Sequence, residues 1–398
     1  MADIKNYLKE KEKREQNQST YKDKIRKHKL TTVYRVLLVL IALGAVAALI
    51  MLQYKRHIYT EYDIVSSVSR DVSAEAVDLR LQDAILTYSK DGAHCTNSKG
   101  EVLWNQTYEI QDIRLETCRD VVAIGNYNGR EIYVQSAEKQ LGTINTTMPI
   151  RNLTVSAMGT VTAVLADTDV AWINTYNAEG ENIFTGQAHM HDSGYPAAIS
   201  LSPNGELLMV SYVYVDAGIL KSDVAFYNLG VVGDNYSDHF VSVYSYSDML
   251  VPEVQFINDS TAFAVGDSRI MIYTGAQKPV EAAQYNQKEE IQSIFYSDQY
   301  IGVVFISEKE DSRYRLDVYN ADAERVGSYY FNIEYTDIFF GQNDFTVYNE
   351  TECMIMNFEG VEKYNGYFSK AVNLMIPTGS AYKYILVTDN SIDTIQLK

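Results

Sequence analysis

Residues 200–213 read SLSPNGELLMVSYV: an apolar run, the polar turn Ser202-Pro203-Asn204-Gly205, then a second apolar run. The pattern predicts a β-hairpin, because Pro and Asn suit turn dihedrals and Gly accepts a positive φ. The same grammar recurs along the chain as strand, turn, strand, short turn, strand. DIRLETCRDVVAIGNYNGREIYVQ carries it from Asp112, NLTVSAMGTVTAVLADTDVAWINTYN from Asn152 and EVQFINDSTAFAVGDSRIMIYT from Glu253. Units begin near Val77, Asp112, Asn152, Ala197, Glu253, Ile291, Thr336 and Ala371, at spacings of 35 to 56 residues that average 42.

A second signature follows the third strand. It reads Asn97-Ser98-Lys99-Gly100-Glu101, Asn177-Ala178-Glu179-Gly180-Glu181, Asn320-Ala321-Asp322-Ala323-Glu324 and Asn357-Phe358-Glu359-Gly360-Val361. Glycine at the fourth place suits a turn residue with positive φ that leads into a fourth strand, and Ala323 breaks the pattern once. Four-stranded units at a period of roughly 40–50 residues predict a β-propeller. No useful helical period follows residue 55, which argues against α/β folds. The expected class is all-β: an eight-bladed β-propeller behind a single N-terminal transmembrane helix. Seven blades are the alternative if the weakest unit is not a full blade. The last unit holds three strands up to Lys398, and YDIVSSVSRD, residues 62–71, is expected to add its fourth. Closing the ring with both ends removes an open sheet edge.

The stretch 36–54, VLLVLIALGAVAALIMLQY, carries no charge. At 1.5 Å per residue, about nineteen residues cross a hydrocarbon core of about 30 Å. Tyr34 and Tyr54 flank it where interfacial aromatics belong. Ala45-Val46-Ala47 fits a cleavage pattern but lies inside the apolar run, so the segment is read as an uncleaved signal anchor. Lys22, Lys24, Arg26, Lys27 and Lys29 precede it, against Lys55 and Arg56 beyond it. That asymmetry predicts a cytosolic N-terminus and an external C-terminal domain. The expected divisions are a basic cytosolic tail (1–35), the helix (36–54), a juxtamembrane linker (55–61) and an extracytoplasmic propeller (62–398). The tail pattern suits either a surface helix or a disordered segment.

Charge divides the chain in the same way. Residues 1–35 hold eleven Lys and Arg against five acids, a net of +6, and the remainder holds 23 against 47, a net of −24. An acidic body repels nucleic acid and anionic headgroups, so no nucleic-acid partner is expected. Its plain role is solubility. Cys95, Cys118 and Cys353 are few, widely spaced and without a CxxC. They are read as isolated thiols, with a Cys95–Cys118 bridge as the alternative. The 32 tyrosines fit strand propensity and blade packing, or else an exposed platform for sugars.

SPNGELLMVSYV resembles the hairpin of WD40-like and TolB-type propellers. NSKGEVLWNQTY, residues 97–108, is similar to the tryptophan-docking repeat of quinoprotein-like, eight-bladed propellers, in which one blade's Trp docks on its neighbour. Trp104 fits that pattern once, Phe184 takes the place in a later unit, and Trp172 lies in a different strand. The quinone enzymes' vicinal cysteine pair has no counterpart here, so the resemblance implies the fold and no cofactor. The layout of basic tail, helix and propeller also resembles a domain-of-unknown-function family of bacterial membrane-anchored propellers.

Motifs of common catalysts (GxSxG, HExxH, P-loop, GxGxxG) do not occur. HMHDSGYP, residues 189–196, is the one constellation that suggests a ligand face, through His189, His191, Asp192 and Tyr195. Two histidines beside an aspartate also suit a metal, whereas a polar loop between two blades is the plain alternative, and no metal, cofactor or catalytic residue is assigned. Long insertions in the unit at Ala197 mark it as a further place for function. The expected role is a membrane-tethered binding or assembly scaffold at the bacterial cell envelope. Its expected partners are the membrane and a protein or envelope polymer. A receptor signalling through the basic tail is one alternative, and an enzyme acting on envelope polysaccharide is another.

Overall fold

The computed structural model describes residues 2–73, 75–167, 169–189 and 193–398. The chain divides into two compact units, Met1–Ile58 and Tyr59–Lys398. The first is one continuous helix, Ala2–Arg56. Lys, Glu, Arg and Gln dominate its first half, and Glu10 stands four residues before Arg14, a spacing that adds helical support. The tail is therefore helical. Within the helix, His28–Ala47 has a mean hydropathy of 2.1 and is long and apolar enough to cross a membrane. This window starts earlier than the expected 36–54, and side chains from residue 48 to 56 lie outside the described set.

The second unit is an eight-bladed β-propeller. Among its described residues are eight four-stranded antiparallel sheets. Blades 1 to 7 span 77–107, 113–145, 150–189, 195–246, 253–286, 291–331 and 337–367, each running from inner strand a to outer strand d. Each observed start lies within three residues of its expected one. Inner strands touch through blades 2 to 5, between blades 6 and 7, and between blades 8 and 1, where the two ends of the repeat meet.

Blade 8 takes its outer strand from the other end of the domain. Strands from 374 to 397 supply a to c, and Tyr62–Ser69 supplies d. The closing register runs antiparallel from Tyr62 opposite Leu397 to Ser69 opposite Ser391. Side chains reinforce the closure. Arg70, which follows the closing strand, grips Asp78 of blade 1 through bonds of 3.1 and 2.9 Å. The Thr87 hydroxyl adds a 2.7 Å bond to the same carboxylate. Lys398 donates to Asp63 at 2.7 Å, and Ser67 donates to Asp393.

Burial follows position in the blade. Middle strands have neighbours on both faces, so Val121–Asn126 and Thr261–Val265 read as nearly unbroken apolar runs and are buried almost throughout. Outer strands have water on one side, and Val280–Asn286 alternates accordingly.

The repeated Asn turn joins strands c and d. In all four copies the Asn side-chain oxygen accepts the N–H of the fifth residue, at 3.0, 2.8, 2.8 and 2.7 Å. The fourth residue turns left-handed: Gly100 at φ 76°, Gly180 at 89° and Gly360 at 79°. Ala323 adopts the same conformation at φ 63°, so the sequence exception is not a structural one. The Asn bonds hold it there against a steric penalty of about 1–2 kcal/mol for an L-residue.

Outer-strand aromatic side chains tie blade 1 to blade 2 and link blades 3 to 7 in succession. Trp104 of blade 1 donates its indole N–H to the Ser136 carbonyl of blade 2 at 2.7 Å, as the docking resemblance implies. Tyrosine hydroxyls perform the same task elsewhere. Tyr244 reaches Pro279 O at 3.1 Å, Tyr285 reaches Ala323 O at 2.8 Å and Tyr329 reaches Phe358 O at 2.9 Å. Phe184 has no donor and instead packs on Tyr227 of blade 4, with ring centres 5.7 Å apart. Blade packing thus accounts for several of the abundant tyrosines, because a phenol fills apolar space and satisfies a carbonyl at once.

Candidate ligand-binding face

In every blade the a–b and c–d turns lie on one face, and the b–c hairpins and d–a connections lie on the other. The second face carries His189 and Tyr195, the two sequence-designated residues that the structure describes. His189 ends the outer strand of blade 3, Asn182–His189, and is exposed. Its carbonyl accepts the N–H groups of Ser193 at 2.9 Å and Gly194 at 3.2 Å. Tyr195 opens the inner strand of blade 4, Tyr195–Leu201, opposite Val213. It is half-buried, and burial raises its phenol pKa; the charge of Arg151 opposes that shift and Tyr127 adds to it. His191 and Asp192 lie outside the described residues. Among the described residues no three His, Cys, Asp or Glu side chains gather as a metal site.

Tyr195 leads to residues that the sequence pattern did not single out. The guanidinium of Arg114 lies 5.0 Å from the centre of the Tyr127 ring, and that of Arg151 lies 5.2 Å from it. Tyr127 sits in the b–c turn of blade 2, and backbone bonds hold that turn on both sides. Tyr127 N–H donates to Asp112 O at 2.8 Å and Asn128 N–H to Ile150 O at 2.9 Å, while Gly129 O accepts Ile150 N–H at 2.9 Å. Asn128 adopts φ 64°, which asparagine tolerates better than most residues. Arg151 is the extra residue of a bulge: Ile150 pairs with Leu165 and Asn152 with Val164. Bulges re-aim side chains, and this one brings Arg151 to Tyr127 and to the Asn128 side chain, to which it donates. NYNGR, residues 126–130, was visible as a polar turn, but a bulge has no sequence mark that would have predicted this meeting.

Blade 4 adds a projecting finger. Its strands Leu207–Asp216 and Ile219–Asn228 stay in register to the tip, where Ala217 (φ 51°) and Gly218 (φ 80°) make the turn. Strand a reaches only to Val213, and strand d only to Ser222. The remainder is therefore a two-stranded ribbon standing clear of its blade. Lys221 and Asp216 pair across it at 2.7 Å. Its tip exposes Val215 (65%), Ile219 (56%) and Leu220 (50%). The other insertion of this blade lies on the opposite face, where two short 3₁₀ turns, Gly233–Asn235 and Ser237–His239, join strand c to outer strand Phe240–Tyr246.

On the opposite face the central lumen opens into a cavity of about 510 Å³, lined by the a–b ends of six blades. Burial raises the Tyr296 phenol of blade 6, and the neighbouring acidic groups Glu116, Cys118 and Glu253 of blades 2 and 5 add to the shift. Glu116 is accessible to water, yet protein encloses it and strips away hydration. This desolvation pushes its carboxyl up to about 7, against the pull of Arg114. Burial likewise raises Glu253, and it lifts the Cys118 thiol to about 11, so that thiol is protonated at neutral pH and a weak nucleophile. Cys95, Cys118 and Cys353 are all free, which settles the cysteine alternatives for isolated thiols.

The fold has solved counterparts. Sqt1 of Chaetomium thermophilum, bound to the N-terminus of ribosomal protein L10, superposes with a TM-score of 0.52 at 12% identity, covering 85% of this chain and 100% of that one. Sqt1 of Saccharomyces cerevisiae gives 0.50 at 11% identity, covering 86% and 99%. BamB from Moraxella catarrhalis gives 0.49 at 10%, covering 84% and 100%. Identities this low show a shared fold alone. No curated protein matches the sequence. The family model of DUF5711, a family of unknown function, matches residues 54–397.

Proposed function

We infer that this chain, which belongs to the DUF5711 family, is a membrane-tethered binding scaffold of the bacterial envelope and does no catalysis itself. The helix anchors the protein with its basic end in the cytosol, and the propeller presents a loop face to a protein partner outside. The observation that carries the reading is the concentration of unrepeated features on one face of an otherwise repetitive ring. The apolar-tipped finger of blade 4, the clamped turn at Tyr127 and the half-buried Tyr195 all stand there. A rigid ring bearing singular loops is the general arrangement for binding. Support for the anchor comes from the length and hydropathy of His28–Ala47 and the basic residues around its start. The Sqt1 propeller bound to the N-terminus of another protein supplies a fold-level analogy only.

Crosslinking in the protein's own membranes, followed by purification of the full-length chain and mass spectrometry, tests the scaffold. A stoichiometric partner that remains when an unrelated anchor replaces residues 1–56 is the expected result. Loss of function with the partner still bound would favour signalling through the tail, and absence of any stoichiometric partner would overturn the reading. Topology is tested by fusing alkaline phosphatase or a fluorescent protein after Lys398. Active phosphatase is expected, and cytosolic fluorescence refutes the orientation.

A further inference from the structure

We propose that the clamped turn at Tyr127, with Arg114 and Arg151, is a carboxylate-binding site for an acidic, partly apolar peptide segment of a protein partner. The inference deepens the scaffold reading and rests on it. Charge supplies the first argument. Both guanidiniums lie within 5.2 Å of one ring centre in a domain that is otherwise strongly acidic. Among the described residues no carboxylate lies within ion-pair distance of either one; Glu116, two places along the strand from Arg114, is the carboxyl whose charge is felt there. Stacking on an aromatic ring holds the planar cation while leaving its edge donors available for a carboxylate.

Preorganisation is the second argument. The turn is bonded to both neighbouring segments, and Arg151 is aimed by a bulge and fixed by Asn128. Little side-chain freedom remains to be lost on binding.

These features select an occupant. The acidic field of the ring disfavours a dense polyanion. Two arginines beside tyrosine faces, with the apolar finger rooted next to Tyr195, suit sparse carboxylates interspersed with apolar residues, which is the chemistry of a peptide.

The test pans a library of short random peptides on the full-length protein in nanodiscs. Wild type is expected to enrich Asp or Glu next to apolar or aromatic residues. The synthesised consensus peptide is then titrated by calorimetry. Arg114→Gln and Arg151→Gln should each weaken it at least tenfold. Arg151→Lys should weaken it as well, because an ammonium lacks the planar fork. Thermal melts should show all three variants folded. No enrichment, enrichment without acidic bias, unchanged affinity in both glutamine variants, or equal competition by polyphosphate would each overturn the proposal. Enrichment of neutral or basic peptides would sink this site and leave the scaffold intact, whereas the membrane crosslinking result judges the scaffold independently.

Discussion

The two faces of the propeller are built on opposite plans. On the side of the c–d turns, one device appears four times: an Asn oxygen closes the turn and a left-handed residue follows. The aromatic tethers Trp104, Tyr244, Tyr285 and Tyr329 end at or beside those c–d connections. On the other side a bulge near the start of the inner strand recurs in blades 3, 4 and 6, but the larger features do not repeat. Among the described residues, the Arg114–Tyr127–Arg151 cluster, which joins blades 2 and 3, and the finger of blade 4 each occur once. The contrast teaches that repetition here serves the ring's own cohesion, and that singular residues are the ones free to serve something else.

That division is open to attack, beginning with the seam, where the largest effect is expected. Asp78→Ala leaves the Arg70 guanidinium buried without its partner, and denaturant melts should show a loss of about 3–5 kcal/mol. A loss below about 1 kcal/mol would mean that strand pairing alone closes the ring. On the repeated face, Asn177→Ala and Asn320→Ala should each cost about 1 kcal/mol. Together they should cost the sum, since the two turns lie in different blades. Replacing residues 214–221 with Asn-Gly removes the finger, and stability should change by less than about 0.5 kcal/mol. A large loss there would erase the distinction between the faces.

The lumen sharpens the comparison through pH, with the smallest effect. The Glu116 carboxyl rises from 4.5 to about 7 in the folded ring, so ionisation is disfavoured there. Its contribution is intact below the ordinary carboxyl range and is lost as pH rises through about 7. Glu116→Gln mimics the neutral acid. The fall in melting temperature between acid and mildly alkaline buffer should therefore be smaller in the variant than in wild type. Equal falls would show that the lumen does not desolvate this carboxyl.

The sequence made the ring legible because apolar strand pairs and Asn turns restate themselves at a near-constant period. It exposed the closing strand 62–69 by arithmetic, since the last unit was one strand short. The turn at Ala323 was harder: the residue type contradicted the pattern, and the neighbouring Asn320 bonds imposed the conformation regardless. The candidate site was only partly legible. Tyr195 and the finger stood out through an unusual loop and an unusual spacing. Arg114, Tyr127 and Arg151 are far apart in sequence and meet only because a turn of one blade is bonded to the inner strand of the next. Such meetings depend on a bulge and on blade-to-blade register, neither of which a residue pattern encodes.

The closing strand also sets a timetable. Asp63 and Lys398, joined in the finished ring, are separated by 335 positions. Synthesis proceeds at about 5–20 residues per second, so the first strand waits on the order of tens of seconds for its partner. Throughout that interval residues 62–69 have no edge to join, and each completed blade stands in an open arc. Premature release, arrest or truncation before Ser391 therefore yields no smaller propeller, only an unfinished arc with exposed edges for quality-control machinery to find.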